Sequence, residues 1–334
     1  MNEQTDAARP ESPEPVVTIV VTPRERFGLS QASLESIYAN TTVDFRLVYV
    51  DGNAPSRTGN YLRSTAAERG FELISSPEYL SPNRARNLGL AGVTTPFVVF
   101  VDNDLVVAKG WLRRLLACAE ETGAAIVGPL YMEGDPGQDI VHMAGGDYTL
   151  DGETGKRRFT TVHRLQGQRL DEIGTELVRE PVGFVEFHCL LARTDFVRSI
   201  GGFDEALLST REHLDLCLIA SERSEQVYFE PSSRVTYLTP PPIDRADLSF
   251  FLRRWSEQWN EASLEHFCAK YGIAPSYRDR MVGMRARRQL VLRPVGAASA
   301  KLLPGPVDRF AMRVMARLER EINRALFRVP GYAR

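Results

Sequence analysis

The stretch FVVFVDND at residues 97–104 decides the fold of this chain. Its first five residues are apolar without interruption, which is typical of a strand buried on both faces, and the run ends in Asp102-Asn103-Asp104. Strands of this kind occur in parallel sheets whose two sides are covered by helices. In such sheets ligands bind beyond the carboxyl ends of the strands, so the same stretch predicts where a functional site lies.

Segments of the same kind alternate with helical patterns along most of the chain. Strands are predicted at residues 16–22, 45–50, 71–75, 97–101, 124–129, 185–192, 227–229 and 235–238. Helices are predicted at residues 29–38, 57–70, 83–91, 111–122, 194–199, 212–221 and 248–271. The alternation predicts an α/β fold with a Rossmann-like, mostly parallel sheet flanked by helices, followed by a C-terminal helical extension.

Composition divides the chain into three parts. Residues 1–15 are acidic and rich in proline and predict a disordered leader. Residues 16–242 form the predicted α/β domain, closed by Pro240-Pro241-Pro242, and residues 243–334 form the helical extension. The N-terminus lacks the features of a secretory signal and no apolar run approaches 18 residues, which favours a cytoplasmic protein. The four scattered cysteines argue against a zinc site or disulfide framework.

The C-terminal segment is strongly basic. Residues 275–334 hold 14 Lys and Arg residues against four Asp and Glu residues, although the formal net charge of the whole chain is -2. From Val307 onward, apolar residues recur at helical spacing with arginines on the other faces, which predicts an amphipathic helix. Such a helix could lie on an anionic membrane surface, making the protein peripheral to the membrane, or could pack on the protein itself. Nucleic acid is a poor candidate partner, because interleaved aromatic residues for base stacking are missing.

Two predicted strands end in acidic turns at the same edge of the predicted sheet. Asp51 follows the second strand, and Asp102 and Asp104 follow the fourth. Two carboxylates two residues apart can hold a hard divalent cation together with phosphate oxygens and water. Aspartates also cap turns by accepting backbone hydrogen bonds, so the pattern alone leaves both interpretations open.

The order of five motifs narrows the interpretation. The chain contains VDGN at 50–53, SPNRARNLGL at 81–90, FVVFVDND at 97–104, GGFDE at 201–205 and REHLDLCL at 211–218. In combination these motifs resemble the family 2 glycosyltransferases of the GT-A fold, over roughly residues 16–240. The resemblance implies transfer of a sugar from a nucleotide-diphospho donor to an acceptor hydroxyl with inversion, assisted by Mn²⁺ or Mg²⁺. It also implies assembly of a surface glycan or glycoconjugate, with a glycan, lipid-linked or other hydroxyl acceptor.

The resemblance also assigns roles to individual residues. Nucleotide-sugar contacts fall to residues of the first strand's loop and of the later motifs, namely Pro23, Arg24, Glu25, Asp51, Arg86, Asn87, Asp102 and Asn103. The resemblance implies that Asp104, with Asp102 beside it, binds the metal, and that Glu186, Phe187 and His188 form the acceptor pocket.

The chain departs from the family pattern at two positions. His213 stands where the family has its catalytic aspartate, between Glu212 and Asp215. Histidine is a competent base near neutral pH, so His213, Glu212 and Asp215 are all candidates for the catalytic base. Tyr237 stands where many relatives have a histidine that completes the metal site, so the ion would depend on Asp104, phosphates and water.

Two functions follow from these departures. The first is an active inverting glycosyltransferase. The alternative is a catalytically silent protein that binds nucleotide sugars and acts as a scaffold. The remaining histidines, His142, His163 and His266, are expected to be ordinary core or surface residues.

Overall fold

The computed structural model describes residues 14–174, 176–238, 243–275 and 278–327. Its strands are β1 Val17–Thr22, β2 Arg46–Gly52, β3 Glu72–Ser76, β4 Phe97–Asp102, β5 Leu105–Val107, β6 Ile126–Glu133, β7 Ile140–Met143, β8 Gly146–Asp151, β9 Arg158–His163, β10 Glu180–Pro181, β11 Cys189–Arg193 and β12 Val227–Tyr237. Its α-helices are α1 Ser30–Asn40, α2 Ser56–Arg69, α3 Pro82–Ala91, α4 Trp111–Thr122, α5 Thr194–Ser199, α6 Glu212–Glu222, α7 Leu248–Arg254, α8 Glu257–Tyr271, α9 Arg278–Arg288, α10 Arg293–Leu302 and α11 Gly305–Leu326.

A single large sheet organises the fold. Its strands run in the order β10-β12-β6-β11-β4-β1-β2-β3, with β5 paired to β12 and β7 paired to β6. The half made of β4, β1, β2 and β3 is parallel, whereas β11 lies antiparallel to both β4 and β6. Strands β8 and β9 form a separate antiparallel hairpin. The predicted α/β fold with a mostly parallel sheet and flanking helices is confirmed.

Burial explains why these segments are strands and helices. Every residue of β1 is buried, as are all residues of β4 after Phe97, so both faces of the sheet are covered at its centre. Helix α4 instead buries one face, through Trp111, Leu112, Leu115 and neighbouring apolar residues. The core therefore lies on both sides of the parallel half of the sheet, below the carboxyl ends of its strands.

A glycine in α3 sets the distance between this helix and the sheet. A Cβ atom at Gly89 would lie 2.3 Å from Cγ1 of Val20 and 3.3 Å from Cγ2 of Val50. Because glycine has no Cβ, α3 approaches β1 and β2 more closely than any other residue type would allow. This close approach positions Arg86, one turn earlier on the same helix.

Four predicted elements differ from the structure. The strand expected at 185–192 begins at Cys189, because the hydroxyl of Tyr131 and not a neighbouring strand accepts the hydrogen bond from the Glu186 amide. The two strands expected at 227–238 are one strand, β12, with an irregularity between Glu230 and Arg234. The helix expected at 248–271 is two helices, because Ser256 caps the start of α8 by accepting from the Trp259 amide at 3.3 Å.

The helical extension packs around one buried carboxylate. Glu257 of α8 pairs with Arg285 of α9 at 2.7 Å and with Arg320 and Arg324 of α11 at 3.0 and 2.8 Å. Within the described ranges, each helix is too short or too polar to cross a bilayer. The predicted leader, apart from residues 14 and 15, and the Pro240–Pro242 boundary lie outside the described residues.

Candidate active site

The acidic turn after β4 lies at the edge where the parallel strands end. Its middle residue, Asn103, holds the loop that follows β1. The Asn103 side-chain oxygen accepts from the Arg24 amide at 2.9 Å, and its nitrogen donates to the Ser30 hydroxyl at 2.9 Å and to the Arg26 carbonyl at 3.1 Å. Asn103 therefore shapes the loop at residues 23–26.

Arginines neutralise both aspartates of this turn. Asp102 lies 3.1 Å from the guanidinium of Arg24 and 3.4 Å from that of Arg86, and Asp104 lies 3.5 Å from that of Arg26. Burial opposes ionisation of Asp102, but Arg24, His188 and Arg86 together outweigh it and lower the pKa of Asp102. For Asp104 burial prevails and raises the pKa to about 6.

Asp51 and Pro23 lie at the same edge, on neighbouring strands. Asp51 ends β2, which is separated from β4 by β1, so adjacent-strand spacing places the two chains roughly 10 Å apart. The Asp51 carboxylate is buried and accepts from the Ala54 amide at 2.7 Å, and burial raises its pKa. The ring of Pro23 packs directly on Gly52, where an added Cβ would lie 2.9 Å from Pro23 Cγ.

Glu25 is covered by the C-terminal helices. Its carboxylate accepts from the indole nitrogen of Trp255 at 2.7 Å, from the Arg287 guanidinium at 2.5 Å and from the hydroxyl of Tyr237. Burial opposes ionisation, but Arg287 outweighs it and holds the pKa of Glu25 well below its usual range. The Tyr237 hydroxyl thus points to Glu25 and not to the acidic turn.

A cavity of about 220 Å³ adjoins this edge. Its walls come from the β1 loop, α3, the segment before β11, the start of α6 and the helical extension: Arg24, Arg86, His163, Glu186, Phe187, Ser209, Thr210, Glu212, His213, Leu214, Arg254, Trp255 and Met284. Six predicted site residues are among them, namely Arg24, Arg86, Glu186, Phe187, Glu212 and His213. Asp102 forms ion pairs with both Arg24 and Arg86 and so lies directly behind them.

The three candidate bases at the start of α6 have different surroundings. Glu212 and His213 line the cavity, and Glu212 lies 3.6 Å from the guanidinium of Arg254. Asp215 is turned toward α8, where it pairs with Lys270 at 2.7 Å and accepts from the Tyr271 hydroxyl at 2.7 Å. The helix begins after Arg211, whose φ of 73° is a left-handed conformation that is costly for a non-glycine residue.

Asn87 contacts the GGFDE turn. Its amide nitrogen donates to the Phe203 carbonyl at 2.8 Å, and its amide oxygen accepts from the Phe203 amide at 2.8 Å. Gly202 has a φ of 84° and lies so close that a Cβ there would be 2.8 Å from the Asn87 oxygen. In this structure Asn87 therefore holds two motifs together, whereas Arg86 beside it lines the cavity.

Sequence reasoning missed a cluster of histidines around Glu186. His142 of β7, His163 of β9 and His188 each place Nε2 within 3.2 Å of the Glu186 carboxylate. Burial acts to lower the pKa of His142, but the carboxylates of Glu186 and Glu133 outweigh it and raise the pKa to about 9. Burial likewise opposes ionisation of Glu186, and His142 holds its pKa well below the usual range. The three histidines are far apart in sequence and share no motif, so the cluster can be recognised only from the arrangement of the strands.

A larger hollow lies at the opposite edge of the sheet. It measures about 670 Å³ and is lined by residues at the amino ends of β2 and β3, including Arg46 and Glu72. Ligands of open α/β sheets bind at the carboxyl ends of the strands. The smaller cavity beside Arg24 and Arg86 is therefore the candidate active site.

The chain is similar to known glycosyltransferases. Residues 18–179 match the family model described as "Glycosyl transferase family 2". The "Pre-mycofactocin glycosyltransferase" of Mycobacterium tuberculosis is 30% identical over 194 residues, and the matched region covers 57% of this chain and 37% of the relative. This chain therefore spans little more than a third of the length of that relative.

Two solved structures share the fold at low sequence identity. The structure described as "GalNAc-T7 with UDP, GalNAc and Mn2+" has a TM-score of 0.54 at 11% identity, covering 86% of this chain and 57% of its own. The "Mannosyltransferase PcManGT from Pyrobaculum calidifontis in complex with GDP-Man and Mn2+" has a TM-score of 0.50 at 14% identity, covering 93% and 82%. Taken together, these likenesses lead to one conclusion: residues 18–179 match glycosyltransferase family 2, and the chain has the GT-A fold.

Proposed function

We propose that this protein transfers a sugar from a nucleotide-diphospho donor to an acceptor hydroxyl with inversion at the anomeric carbon. One observation carries the proposal. One cavity at the carboxyl edge of the sheet is lined by the guanidinium groups of Arg24 and Arg86, both of which pair with Asp102. The same cavity is lined by Glu212 and His213. Anion-binding groups and a candidate base thus border the same space, which is what a glycosyl transfer requires.

Arg24 and Arg86 are suited to the diphosphate of the donor. Both line the cavity and both are buried or largely so, which strengthens their interaction with an anion. A guanidinium fork binds phosphate oxygens in two-point geometry. We assign the neighbouring edge residues Pro23, Asp51 and Asn103 to the nucleotide side, with Asn103 acting by holding the loop in place. Glu25 and Asn87 keep their predicted place in that group, although both now bind other protein groups.

The acidic turn fits a divalent cation. Oδ1 of Asp104 is buried and has no hydrogen-bond partner among the described residues, so it is an acceptor that a cation would satisfy. Asp104, with Asp102 beside it, would hold Mn²⁺ or Mg²⁺. When bound there, the ion would neutralise charge that develops on the leaving diphosphate. Arg26 would have to release Asp104 for this to occur, since it now lies 3.5 Å away.

We propose His213 as the catalytic base. It lines the cavity, as Glu212 does, and it stands at the position of the family's catalytic aspartate, whereas the carboxylate of Asp215 is bound to α8. A neutral imidazole can accept a proton from an acceptor hydroxyl. One base opposite the leaving group, without a nucleophilic carboxylate, gives inversion.

The helical extension covers the donor side of the site. A volume of about 220 Å³ is below the roughly 300–1,000 Å³ typical of ligand pockets. Trp255 and Met284 line the cavity from the extension, and Arg287 closes over Glu25. We propose that α9 moves away when the donor enters, and that residues 243–334 act as a unit separate from the domain at 16–242.

The acceptor side is assigned to Glu186 and Phe187, which line the cavity, with His188 behind them. The guanidinium of Arg86 lies 3.8 Å from the centre of the Phe187 ring, so donor and acceptor sides are in contact. We propose a glycan, a lipid-linked glycan or a smaller hydroxyl compound as the acceptor, in the assembly of a surface glycan or glycoconjugate. An acceptor other than a glycan is included because the M. tuberculosis relative is named a pre-mycofactocin glycosyltransferase.

A membrane contact is proposed for α11. Its exposed apolar side chains, Phe310, Leu318, Ile322 and Leu326, are each more than half accessible, and they recur at helical spacing. Arg309, Arg313 and Arg317 stand beside them, so the face combines apolar contact with positive charge, which favours an anionic bilayer at the inner face of the membrane. Flotation with phosphatidylserine-containing liposomes tests this. Full-length protein should float and the Phe310→Glu, Leu318→Glu variant should not, whereas equal flotation of both removes the membrane contact.

The experiment that tests the function is a binding screen followed by turnover. Nucleoside diphosphates and nucleotide sugars are added with and without Mn²⁺, and a rise in melting temperature identifies the donor because only the native state binds it. The identified donor is then offered to an acceptor panel with wild type, His213→Ala and the remote control His266→Ala. Loss of transfer by at least 100-fold in His213→Ala alone, with donor binding kept, supports the proposal. Donor binding without turnover by wild type across the panel favours the silent scaffold.

A further inference from the structure

The cluster around Glu186 contains three of the five histidines in the chain. Oε2 of Glu186 lies 3.2 Å from Nε2 of His142 and 3.0 Å from Nε2 of His188. The other carboxylate oxygen, Oε1, lies 3.0 Å from Nε2 of His163. Three imidazoles from separate parts of the chain thus direct the same ring nitrogen at one carboxylate.

The outer nitrogens of two of these rings also face carboxylates. Nδ1 of His142 lies 2.9 Å from Oε2 of Glu133, and Nδ1 of His188 lies 3.3 Å from Oδ2 of Asp102. A neutral imidazole carries one N–H and can donate to only one of its two neighbours. Both nitrogens of each ring thus face carboxylate oxygens, and one divalent cation shared by the two rings would balance that negative charge.

The geometry favours the shared cation. One ligand atom each from His142, Glu186 and His188 lies within 4.8 Å of the other two. A metal ion bound to nitrogen and oxygen at about 2.0–2.1 Å in tetrahedral geometry separates its ligands by roughly 3.4 Å. The Glu186–His142 and Glu186–His188 distances already match this separation, so a small inward movement of the two rings would complete the site.

The surroundings match those of protein metal sites. Histidine ligands usually donate their outer N–H to a carboxylate, which fixes the ring and leaves the inner nitrogen free for the metal. Glu133 is placed to accept from Nδ1 of His142 at 2.9 Å, and Asp102 lies 3.3 Å from Nδ1 of His188, which makes no hydrogen bond within the described residues. In the part of the chain that the structure describes, the ion pairs of Glu186 are with histidines, whereas Asp102 and Asp104 already pair with arginines.

We propose that His142, Glu186 and His188 bind one divalent transition-metal ion of the zinc class. Two imidazoles and one carboxylate suit Zn²⁺ and related ions better than Mg²⁺ or Ca²⁺, which prefer oxygen ligands. The site is separate from the ion assigned to Asp104 and goes beyond the proposed function. Because Glu186 lines the cavity, the bound ion would form part of the acceptor-side wall and fix β7 to the segment before β11.

Metal binding by the full chain tests the proposal without any assay of transfer. Protein stripped with a chelator is titrated with Zn²⁺ by calorimetry, and metal content is measured after dialysis. We expect one Zn²⁺ per wild-type chain. Co²⁺ as a second probe should give the visible absorption of a site with nitrogen ligands and low coordination number.

Variants locate the ion. His188→Ala and the isosteric Glu186→Gln should each weaken Zn²⁺ binding at least 100-fold, whereas His266→Ala, remote from the cluster, and Asp104→Asn should keep full stoichiometry. The absence of stoichiometric Zn²⁺ in wild type overturns the proposal, and so does retention of Zn²⁺ by folded Glu186→Gln. Loss of Zn²⁺ in Asp104→Asn with retention in His188→Ala would assign the ion to the acidic turn instead.

Discussion

Replacing Gly89 by alanine tests how the packing of α3 supports the site. The new Cβ would lie 2.3 Å from Cγ1 of Val20 and 3.3 Å from Cγ2 of Val50, whereas ordinary contacts begin near 3.4 Å. Both valines are fully buried in the sheet and cannot yield, so α3 must move outward by about 1 Å. Overpacking of this size costs about 1–3 kcal/mol of unfolding free energy.

The same movement should affect transfer. Arg86 lies three residues before Gly89 on α3, and its contact with Asp102 is already 3.4 Å long. Moving this guanidinium outward breaks that ion pair and shifts a group assigned to the diphosphate. A displacement of about 1 Å in a positioning group can reduce catalysis roughly 100-fold.

The assay combines urea denaturation with transfer kinetics, using the donor found in the binding screen. Gly283→Ala is the matched control, because Gly283 is also a helical glycine and an added Cβ there would meet nothing within 4 Å. We expect the control to be unchanged or slightly stabilised, since alanine favours helix. A Gly89→Ala protein with wild-type stability and wild-type kcat/KM would refute the reasoning.

Three further predictions concern contacts of the site and the extension. Asn87→Ala removes two hydrogen bonds of 2.8 Å to the Phe203 backbone and should lower the free energy of unfolding, measured by urea denaturation, by about 2–3 kcal/mol. A loss below 0.5 kcal/mol would show that Asn87 does not hold α3 to the GGFDE turn. Arg287→Ala uncovers Glu25 and should increase the association rate of the donor in stopped-flow binding, whereas a slower rate would show that Arg287 binds the donor itself. Burial acts to raise the pKa of Glu257, but the arginines of α9 and α11, Arg285 foremost, outweigh it and lower that pKa. The ionised carboxylate therefore stabilises the fold above the pKa of the unfolded chain, near 4.5, and this contribution is lost as the pH falls through the lower pKa of the folded chain. Accordingly, the hydrogen-exchange protection factors of α11, which are corrected for intrinsic exchange at each pH, should fall as the pH drops below about 4.5. They should also fall in Glu257→Gln at neutral pH, and unchanged protection of α11 in the variant would exclude this docking role.

The sequence was sufficient for the parallel half of the sheet. Runs such as residues 97–101 are apolar throughout, and this pattern has few structural solutions. The alternation of strands and helices, and the acidic turn at the edge, were both predictable from this local pattern. The order of β11, β6 and β12 was not, because antiparallel insertion depends on contacts between residues far apart in sequence.

The site was predictable only in part for a related reason. Motifs identified Arg24, Arg86, Glu212 and His213, which the structure places around one cavity. They could not show that Asn87 holds the GGFDE turn, because this depends on how closely α3 approaches the start of the turn. Of the histidine cluster, the sequence brings only Glu186 and His188 together, since His142 and His163 come from other elements and the full ligand pattern exists only after the sheet has formed.

The covering role of the extension was equally invisible in the sequence. A basic, amphipathic segment predicts a surface that meets negative charge, but not which negative charge. In the structure, part of that charge is internal: Glu25 and Glu257 together engage arginines of α9 and α11. The exposed apolar face of α11 is what remains for an outside partner.

The most direct test of the account is the release of nucleoside diphosphate from the identified donor, measured over time in the presence of acceptor. Wild type should release it in step with glycosylated product, and the product should carry the anomeric configuration opposite to that of the donor. Asp104→Asn, with the same fold by circular dichroism, should lose this release by at least 100-fold. Equal release by Asp104→Asn, or a product that retains the donor's configuration, would contradict the account.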